Sequence, residues 1–433
     1  MTQAILSASN VSALNTSLFR LSRQDVTWIL GLYGTAIGAG TLFLPINAGI
    51  GGIWPLLIMS VLAFPMTFFA HRGLTRFVLS GSSRQGDITE VVEEHFGSSI
   101  GNFITLLYFF SIYPILLVYG VAVTNTVTSF IEHQLHLTPP PRAILAAILV
   151  LGLMIIVRFG KDMIVKAMSL LVFPFVIALL SLALYLIPQW NGAILLQATS
   201  NNMTAGDFTK ILWLAIPVMV FSFNHSPIIS SFAVTQKTTY GDGAEQKSMS
   251  ILLWSHLLMV ITVMFFVFSC VLTLSIADLT AAKQQNISIL SYLANHLNNP
   301  IIAYAAPLIA FVAISKSFLG HYLGASEGFN GLVTKIFRKR GKHIDSRPLN
   351  WLTASIIGIT TWAVATLNPS ILGMIESLGG PIIAMLLFIM PMYAVHKIPA
   401  MRRYAGKISN VFVVMIGCIS ISAICYRLLA DIL

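Results

Sequence analysis

Apolar runs of about 20 residues, the length a helix needs to cross a bilayer core, recur eleven times along the chain. They lie near 27–50, 53–75, 102–131, 142–157, 163–187, 211–234, 251–276, 301–325, 351–367, 370–394 and 409–430. Polar stretches rich in loop residues separate them, among them SGSSRQGD (80–87), LTPPPR (137–142), QWNGA (189–193), YGDGAEQ (240–246) and RKRGKHIDSRP (338–348). The pattern predicts an all-α polytopic membrane protein with eleven transmembrane helices. Two connecting segments carry helical periodicity of their own. Residues 87–96 (DITEVVEEHF) place acids opposite apolar positions and predict a short surface helix. Residues 283–300 (KQQNISILSYLANHLNNP) are amphipathic in the same way. Either segment reads as plain structure or as a moving gate.

Composition excludes the soluble classes. Of 433 residues 56% are hydrophobic and 9% charged, with a mean hydropathy of +0.84, against about 25% charged in soluble domains. A disordered chain, a nucleic-acid binder and a water-soluble enzyme are ruled out. The net charge of +10 is accounted for by topology. Of 25 Lys and Arg, 20 fall in loops on the N-terminal side of the predicted spans and four on the other (Arg142, Lys210, Lys283, Arg427), with Lys316 inside a span. By the positive-inside rule this puts the N-terminus in the cytoplasm and, with an odd number of spans, the C-terminus on the outer side of the membrane. The tail 1–26 is polar and lacks a signal-peptide apolar core, so the first helix is expected to be the targeting signal. Cys270, Cys418 and Cys425 lie in apolar runs. They are expected to pack without disulfides, and no metal-ligand spacing is present.

Two spans are interrupted. The first contains GLYGTAIGAGTLFLP (31–45), with Gly31, Gly34, Gly38 and Gly40 ahead of Pro45. Gly34-x-x-x-Gly38 suits close helix packing, and the same glycines suit local unwinding. The sixth contains VFSFNHSPIISSF (220–232), where Pro227 removes a donor and frees a carbonyl one turn back, near Phe223. Polar backbone at that depth must line a cavity or be buried in protein. Spans 1 and 6 correspond if spans 1–5 (27–187) and 6–10 (211–394) form two five-helix repeats, the second inverted, with 409–430 as an extra helix. Paired breaks of this kind point to a substrate site. Half-helix N-termini offer N–H groups to an anion and C-termini offer carbonyls to a cation, which suits a zwitterionic amino acid.

GLYGTAIGAGTLFLPINAG, TFFAHRGLTRFVLSG, DITEVVEEHFG, VFSFNHSPIISSFAV, QNISILSYLANH, KSFLGHYLGA and LNPSILGMIESLGGPIIAM resemble the bacterial serine permeases. These belong to the hydroxy/aromatic amino acid permease family of the amino acid–polyamine–cation superfamily. The resemblance covers nearly all of the chain after residue 20. It implies an inner-membrane amino acid:proton symporter with eleven spans, the first ten in a five-plus-five inverted repeat. It implies L-serine as substrate, because the related threonine/serine permeases carry an aromatic residue where this chain has His225. A proton is the implied coupling ion, with sodium not excluded, and no cofactor or nucleic-acid partner is expected.

The helix breaks then define the expected site. The substrate carboxylate is expected on the N–H groups of Ala39, Gly40 and Thr41, and the ammonium on carbonyls around Phe221 and Ser222. Ser222, Asn224, His225 and Ser226 are candidates for a substrate hydroxyl. Ionisable residues at membrane depth are functional candidates by default: Lys166, His225, His256, Lys316, His321 and Glu376. Lys166 reads as a snorkelling anchor or a gate, and His256 as a packing histidine. Glu376 reads as a helix-pairing carboxylate or a proton site, and His225 as a site residue or a hydrogen bond to freed backbone. Lys316 and His321 are five residues apart and point about 140° apart at helical pitch. Ala313-Ile314-Ser315-Lys316-Ser317 resembles the eighth-span part of the cation site in sodium-driven members of the superfamily, with a lysine where a hydroxyl is expected. Its ammonium is expected against carbonyls near Gly34 and Ile37, as a coupling residue or a permanently charged clamp. A membrane enzyme would need a nucleophile–base or metal constellation, which the motifs lack. A channel would need a continuous polar stripe.

Overall fold

The computed structural model describes residues 21–158, 161–192, 194, 204–297 and 299–430. Arg20 and most of the tail 1–26 lie outside the described residues, as do the side chains of Cys425 and Arg427. Among the described residues there is no strand. Fifteen helices follow in order: α1 (Arg23–Ala36), α2 (Ala39–Ile50), α3 (Ile53–Leu79), α4 (Ile88–His133), α5 (Arg142–Val157), α6 (Lys161–Leu186), α7 (Ala205–Ser222), α8 (Ser226–Tyr240), α9 (Ala244–Thr273), α10 (Ile276–Gln284), α11 (Ile289–His296), α12 (Pro300–Lys339), α13 (Ser346–Leu367), α14 (Ile371–Lys397) and α15 (Ile408–Ala430).

Seven helical stretches are long and apolar enough to cross a membrane, and α1 with α2, bent by 53° at their junction, make an eighth. α5 and Ile408–Ala423 are shorter apolar helices. Val61, Leu170, Ile301 and Leu308 are largely exposed, the arrangement expected where the outer surface meets lipid rather than water.

Local sequence explains the helix ends. Ser22 and Asp25 form a capping box that starts α1: the Ser22 N–H donates to the Asp25 carboxylate and the Asp25 N–H to the Ser22 hydroxyl. α1 stops where Ile37 turns extended, and α2 restarts after Gly38. α7 stops at Ser222 and α8 begins at Ser226, with Pro227 in its first turn, where a missing N–H costs nothing. The expected surface helix at 87–96 is the start of α4. There Asp87 caps the Thr89 and Glu90 N–H groups, and the chain turns at Gly97, whose φ of 75° suits glycine. The segment expected at 283–300 is instead divided between the end of α10 and α11. Each helix carries its own serine cap, Ser275 and Ser288, so the polar stretch between them ends one helix and starts another. α14 contains π-helical turns at Ile375–Gly379 and Met385–Ile389.

α12 is the scaffold for both breaks. Its small residues let backbone approach closely. A Cβ on Gly320 would meet Thr35 Oγ1 at 2.5 Å, and one on Gly324 would meet Pro227 Cα at 2.8 Å. One helix face therefore seats the end of α1 and the start of α8. The expected Gly34/Gly38 packing is also present: Cβ atoms there would meet Val172 and Ser317, each at 2.5 Å. The same stretch both packs closely and unwinds.

Candidate functional site

The two breaks face each other and are tied together. Thr41 Oγ1 donates to the Ser222 carbonyl (3.1 Å), and Ser222 Oγ donates to the Gly40 carbonyl (2.9 Å). Ala39, Gly40 and Thr41 form the first turn of α2, so their N–H groups have no acceptor within the helix. Opposite them stands the C-terminal end of α7. Its Phe221 carbonyl accepts from the Phe223 and Asn224 N–H groups and its Ser222 carbonyl from Thr41, leaving the Ser222 oxygen a second lone pair. The Phe221 ring fills the space between the elements. Cβ atoms on Gly40 and on Gly379 of α14 would meet it at 2.6 and 2.5 Å. Ala39, Gly40, Thr41, Phe221, Ser222, Asn224, His225 and Ser226 are all buried, so the breaks are closed over. A cavity of about 940 Å³ lies elsewhere, between α5, α12 and α13, beside Arg158, Arg347, Trp351 and Trp362.

Within the second break, Asn224 Oδ1 accepts the Ser226 N–H. Asn224 Nδ2 and Ser226 Oγ are buried without a hydrogen-bond partner. The carbonyl freed near Phe223 is taken by His225 Nδ1 at 3.1 Å. Its ring stacks on His71 and meets His256 at an angle.

Lys316 is buried against the first break. Its Nζ donates to the Gly34 carbonyl (3.3 Å) and the Ile37 carbonyl (3.1 Å), the acceptors left where α1 unwinds. It also lies over the ring faces of Phe175 (4.1 Å) and Tyr33 (5.8 Å). Carbonyls and ring faces are partners for a cation. The neighbouring Ser317 hydroxyl donates to the Thr35 carbonyl (2.6 Å) and so accepts from the Tyr119 hydroxyl (2.9 Å), and two consecutive residues of α12 satisfy the unwound backbone. His321 packs edge-on against Tyr119. Glu376 accepts from Asn47 Nδ2 (3.0 Å), joining α2 to α14. Lys166 is exposed.

Two features lie beyond the expected residues. Asp25 and Lys247, counted by hydropathy among loop charges, form a fully buried ion pair at 2.8 Å, with Tyr240 donating to Asp25. His71, which sits inside the predicted second span, joins His225 and His256 in a cluster whose ligand nitrogens all lie within 4.8 Å of one another. The membrane depth of His71 was the available signal. His256, expected to be a satisfied packing residue, has Nδ1 on the Leu252 carbonyl while its Nε2 is unpartnered.

Paired, facing helix breaks belong to secondary transporters, and comparison with known proteins agrees. The profile of the tryptophan/tyrosine permease family matches residues 27–425. The chain belongs to the tryptophan/tyrosine permease family. This permease is 70% identical over 408 residues to the serine transporter SdaC of Escherichia coli (strain K12), covering 94% of this chain and 95% of the relative. It is 49% identical over 425 residues to the threonine/serine transporter TdcC of Yersinia enterocolitica, covering 94% and 96%. In fold, the permease is similar to MhsT, solved in complex with L-phenylalanine, with a TM-score of 0.60, 17% identity, and 94% and 98% of the two chains covered. It is also similar to a Na⁺-coupled sialic acid symporter in a substrate-bound outward-open state, with a TM-score of 0.57, 13% identity, and 92% and 87% covered. The family and these sequence relatives are transporters, not enzymes, and the permease is a multi-pass membrane protein.

Proposed function

We propose that this permease imports L-serine by symport with protons across the bacterial inner membrane, with its N-terminus in the cytoplasm and its C-terminus in the periplasm. The observation that carries the reading is the pair of facing breaks, bridged by Thr41 and Ser222, with an ammonium and not an open cation cage at the first one. The N–H groups of Ala39, Gly40 and Thr41 receive the substrate carboxylate, and the Phe221 and Ser222 carbonyls receive its ammonium. Opposite half-helix dipoles then match the two charges without a fixed side-chain ion pair. Ser222, and the unpartnered polar atoms of Asn224 and Ser226, read the hydroxyl. Similarity to SdaC and TdcC supports a hydroxylated substrate, and the Phe221 ring wedged between Gly40 and Gly379 argues against a large aromatic one.

The eleven spans, arranged as two inverted five-helix repeats (27–187 and 211–394) and one further helix (409–430), form part of this reading. The breaks at 37–38 and 223–225 support it as the corresponding points of the two repeats. Lys316 serves as the clamp that a bound cation would otherwise provide, tying α1 to α12, so a proton suffices as coupling ion and no sodium site is required there.

The test is uptake of labelled serine into proteoliposomes under an imposed proton gradient without sodium, with competition by threonine, alanine and tryptophan. Serine is concentrated, alanine competes poorly because it leaves the site's buried polar groups unpaired, and threonine competes better than tryptophan. Competition by tryptophan equal to that of unlabelled serine, or accumulation that requires sodium, defeats the reading.

A further inference from the structure

Three histidines from three helices converge just beyond the second break: His71 of α3, His225 at the head of α8 and His256 of α9. All are at most 1% exposed. Each Nδ1 lies within hydrogen-bond distance of a backbone carbonyl: His71 on Thr67 (2.8 Å), His225 on Phe223 (3.1 Å) and His256 on Leu252 (2.6 Å). A carbonyl only accepts, so each Nδ1 carries the hydrogen and each neutral ring presents a bare Nε2 lone pair. The three Nε2 roles differ. His71 Nε2 accepts the His225 backbone N–H at 3.2 Å. His225 Nε2 and His256 Nε2 are buried with no donor at all. The His225 and His256 rings meet at 61° with centroids 4.7 Å apart, while His71 and His225 stack 3.6 Å apart and within 4° of parallel.

Two orphaned lone pairs side by side in a buried space lack one thing, a single hydrogen. The ligand nitrogens of the cluster lie within 4.8 Å of one another, so a proton on one Nε2 draws the other ring in to accept it. One charge-assisted bond then satisfies both, and the stacked His71 ring lays its π face over the resulting cation. We propose that His225, His256 and His71 form a one-proton binding site, and that this is where the coupling proton rides during transport. The proposal rests on the proton-symport reading above and assigns the proton to a location.

The surroundings favour one proton and disfavour a metal ion. Among the described residues, the titratable groups that act on these rings are the rings themselves and, on His225, His321 of α12, with no carboxylate or lysine among them. Cations on the helices that carry or adjoin the cluster have partners elsewhere: Arg72 of α3 with Ser409 and the Phe69 ring, Lys247 of α9 with Asp25, Lys237 of α8 with the Gly81 and Ser83 carbonyls, and Lys316 with α1. A second proton would meet the first across a 3.6 Å stack and is excluded by repulsion. A metal ion must lie in the plane of each imidazole that binds it. Parallel stacked rings share no such plane, and His71 Nε2 already holds the His225 amide.

That last bond gives the site a link to the substrate. The His225 N–H sits at the N-terminal cap of α8, one residue from Asn224 and Ser226. Where the proton rests decides whether His71 Nε2 remains an acceptor for that amide. Protonation state and the geometry of the second break are therefore mechanically joined.

The experiment measures proton uptake by the purified, detergent-solubilised protein in weak buffer when serine is added, alongside serine binding and proteoliposome accumulation. The variants are His256→Asn and His71→Asn, in which the amide preserves the Nδ1–H donor and removes Nε2. The parent protein takes up about one proton per serine bound when the measurement is repeated at successive pH values. His256→Asn still binds and exchanges serine but shows less than about a tenth of that uptake, loses accumulation, and binds serine independently of pH. His71→Asn, which also removes the acceptor of the His225 N–H, loses uptake and accumulation together with part of its serine affinity. If the variants retain parental proton uptake, the proton site lies elsewhere while proton symport stands. If the parent takes up no proton and accumulates serine only on a sodium gradient, the symport reading and this site fall together. If the purified parent carries a stoichiometric transition metal that His256→Asn loses, the cluster is a metal site and the proposal is overturned. Size-exclusion profiles and serine exchange separate loss of coupling from misfolding.

Discussion

Gly40 and Gly31 lie on either side of the first break and respond oppositely to one added methyl group. A Cβ at Gly40 would sit 2.6 Å from Phe221 Cδ1 and 2.9 Å from Ser222 Cα, whereas a Cβ at Gly31 meets nothing within 4 Å. Carbon atoms rest at about 3.5 Å or more, so Gly40→Ala must push the end of α7 away by about 0.6–0.9 Å. The bonds that join the breaks, Thr41 to the Ser222 carbonyl and Ser222 to the Gly40 carbonyl, are already 3.1 and 2.9 Å long and do not survive that displacement intact. Overpacking costs about 1–3 kcal/mol and each of the two weakened hydrogen bonds about 0.5–1.5 kcal/mol, giving about 2–6 kcal/mol concentrated where the substrate binds. At about 1.4 kcal/mol per tenfold, serine binding weakens by about 30-fold or more. Gly31→Ala gains helix propensity of up to about 1 kcal/mol and leaves affinity unchanged. Equilibrium binding of labelled serine to both variants, with thermal unfolding in detergent as a folding check, separates them. Gly40→Ala binding serine within threefold of the parent, or both variants losing affinity alike, refutes the placement of the substrate at α2.

Lys316→Ala leaves the Gly34 and Ile37 carbonyls without their ammonium and abolishes serine accumulation in proteoliposomes while the protein remains membrane-inserted; normal accumulation removes Lys316 from the machinery. Glu376→Gln retains proton-driven accumulation, because Asn47 can still donate to the amide oxygen; loss of coupling with intact serine binding would move the proton to α14. Asp25→Ala strands Lys247 as a buried charge and costs about 3–5 kcal/mol in thermal unfolding; Asp25→Ala with Lys247→Met costs less than Asp25→Ala alone. In the α10–α11 segment, burial would raise the Asp278 carboxyl, but hydrogen bonds from the Ser275 hydroxyl, the Ser275 N–H and Tyr292 outweigh it and hold it below 3.8. A depressed carboxylate stabilises the fold above that value and loses the benefit as pH falls through its lower native one. Tyr292→Phe should therefore cost about 1 kcal/mol near neutral pH and progressively less below about pH 4, read from unfolding midpoints across that range.

Local features of the sequence determined where helices form and where they fail. Twenty-residue apolar runs report on a bilayer independently of packing, and the stop at Ile37–Gly38 and restart at Ser226–Pro227 follow from glycine and proline chemistry within a few positions. Lys316 stood out because a charge inside an apolar run is costly wherever it points, and the resemblance supplied its acceptors in advance. Tertiary structure decided what joins across the chain. Hydropathy counts a charge near a span end as solvated, so Asp25 and Lys247 read as loop residues until α1 and α9 buried them together. Periodicity does not register separation between helices, so nothing in the sequence brings His71, His225 and His256 to one point. Glu376 meets Asn47 only because α2 and α14 pack together, a juxtaposition that no local pattern around either residue encodes. Backbone breaks are written in short-range stereochemistry. Partnership among buried polar groups depends on which helix faces meet, and that is fixed only when α12 seats α1 and α8 against the same stripe of small residues.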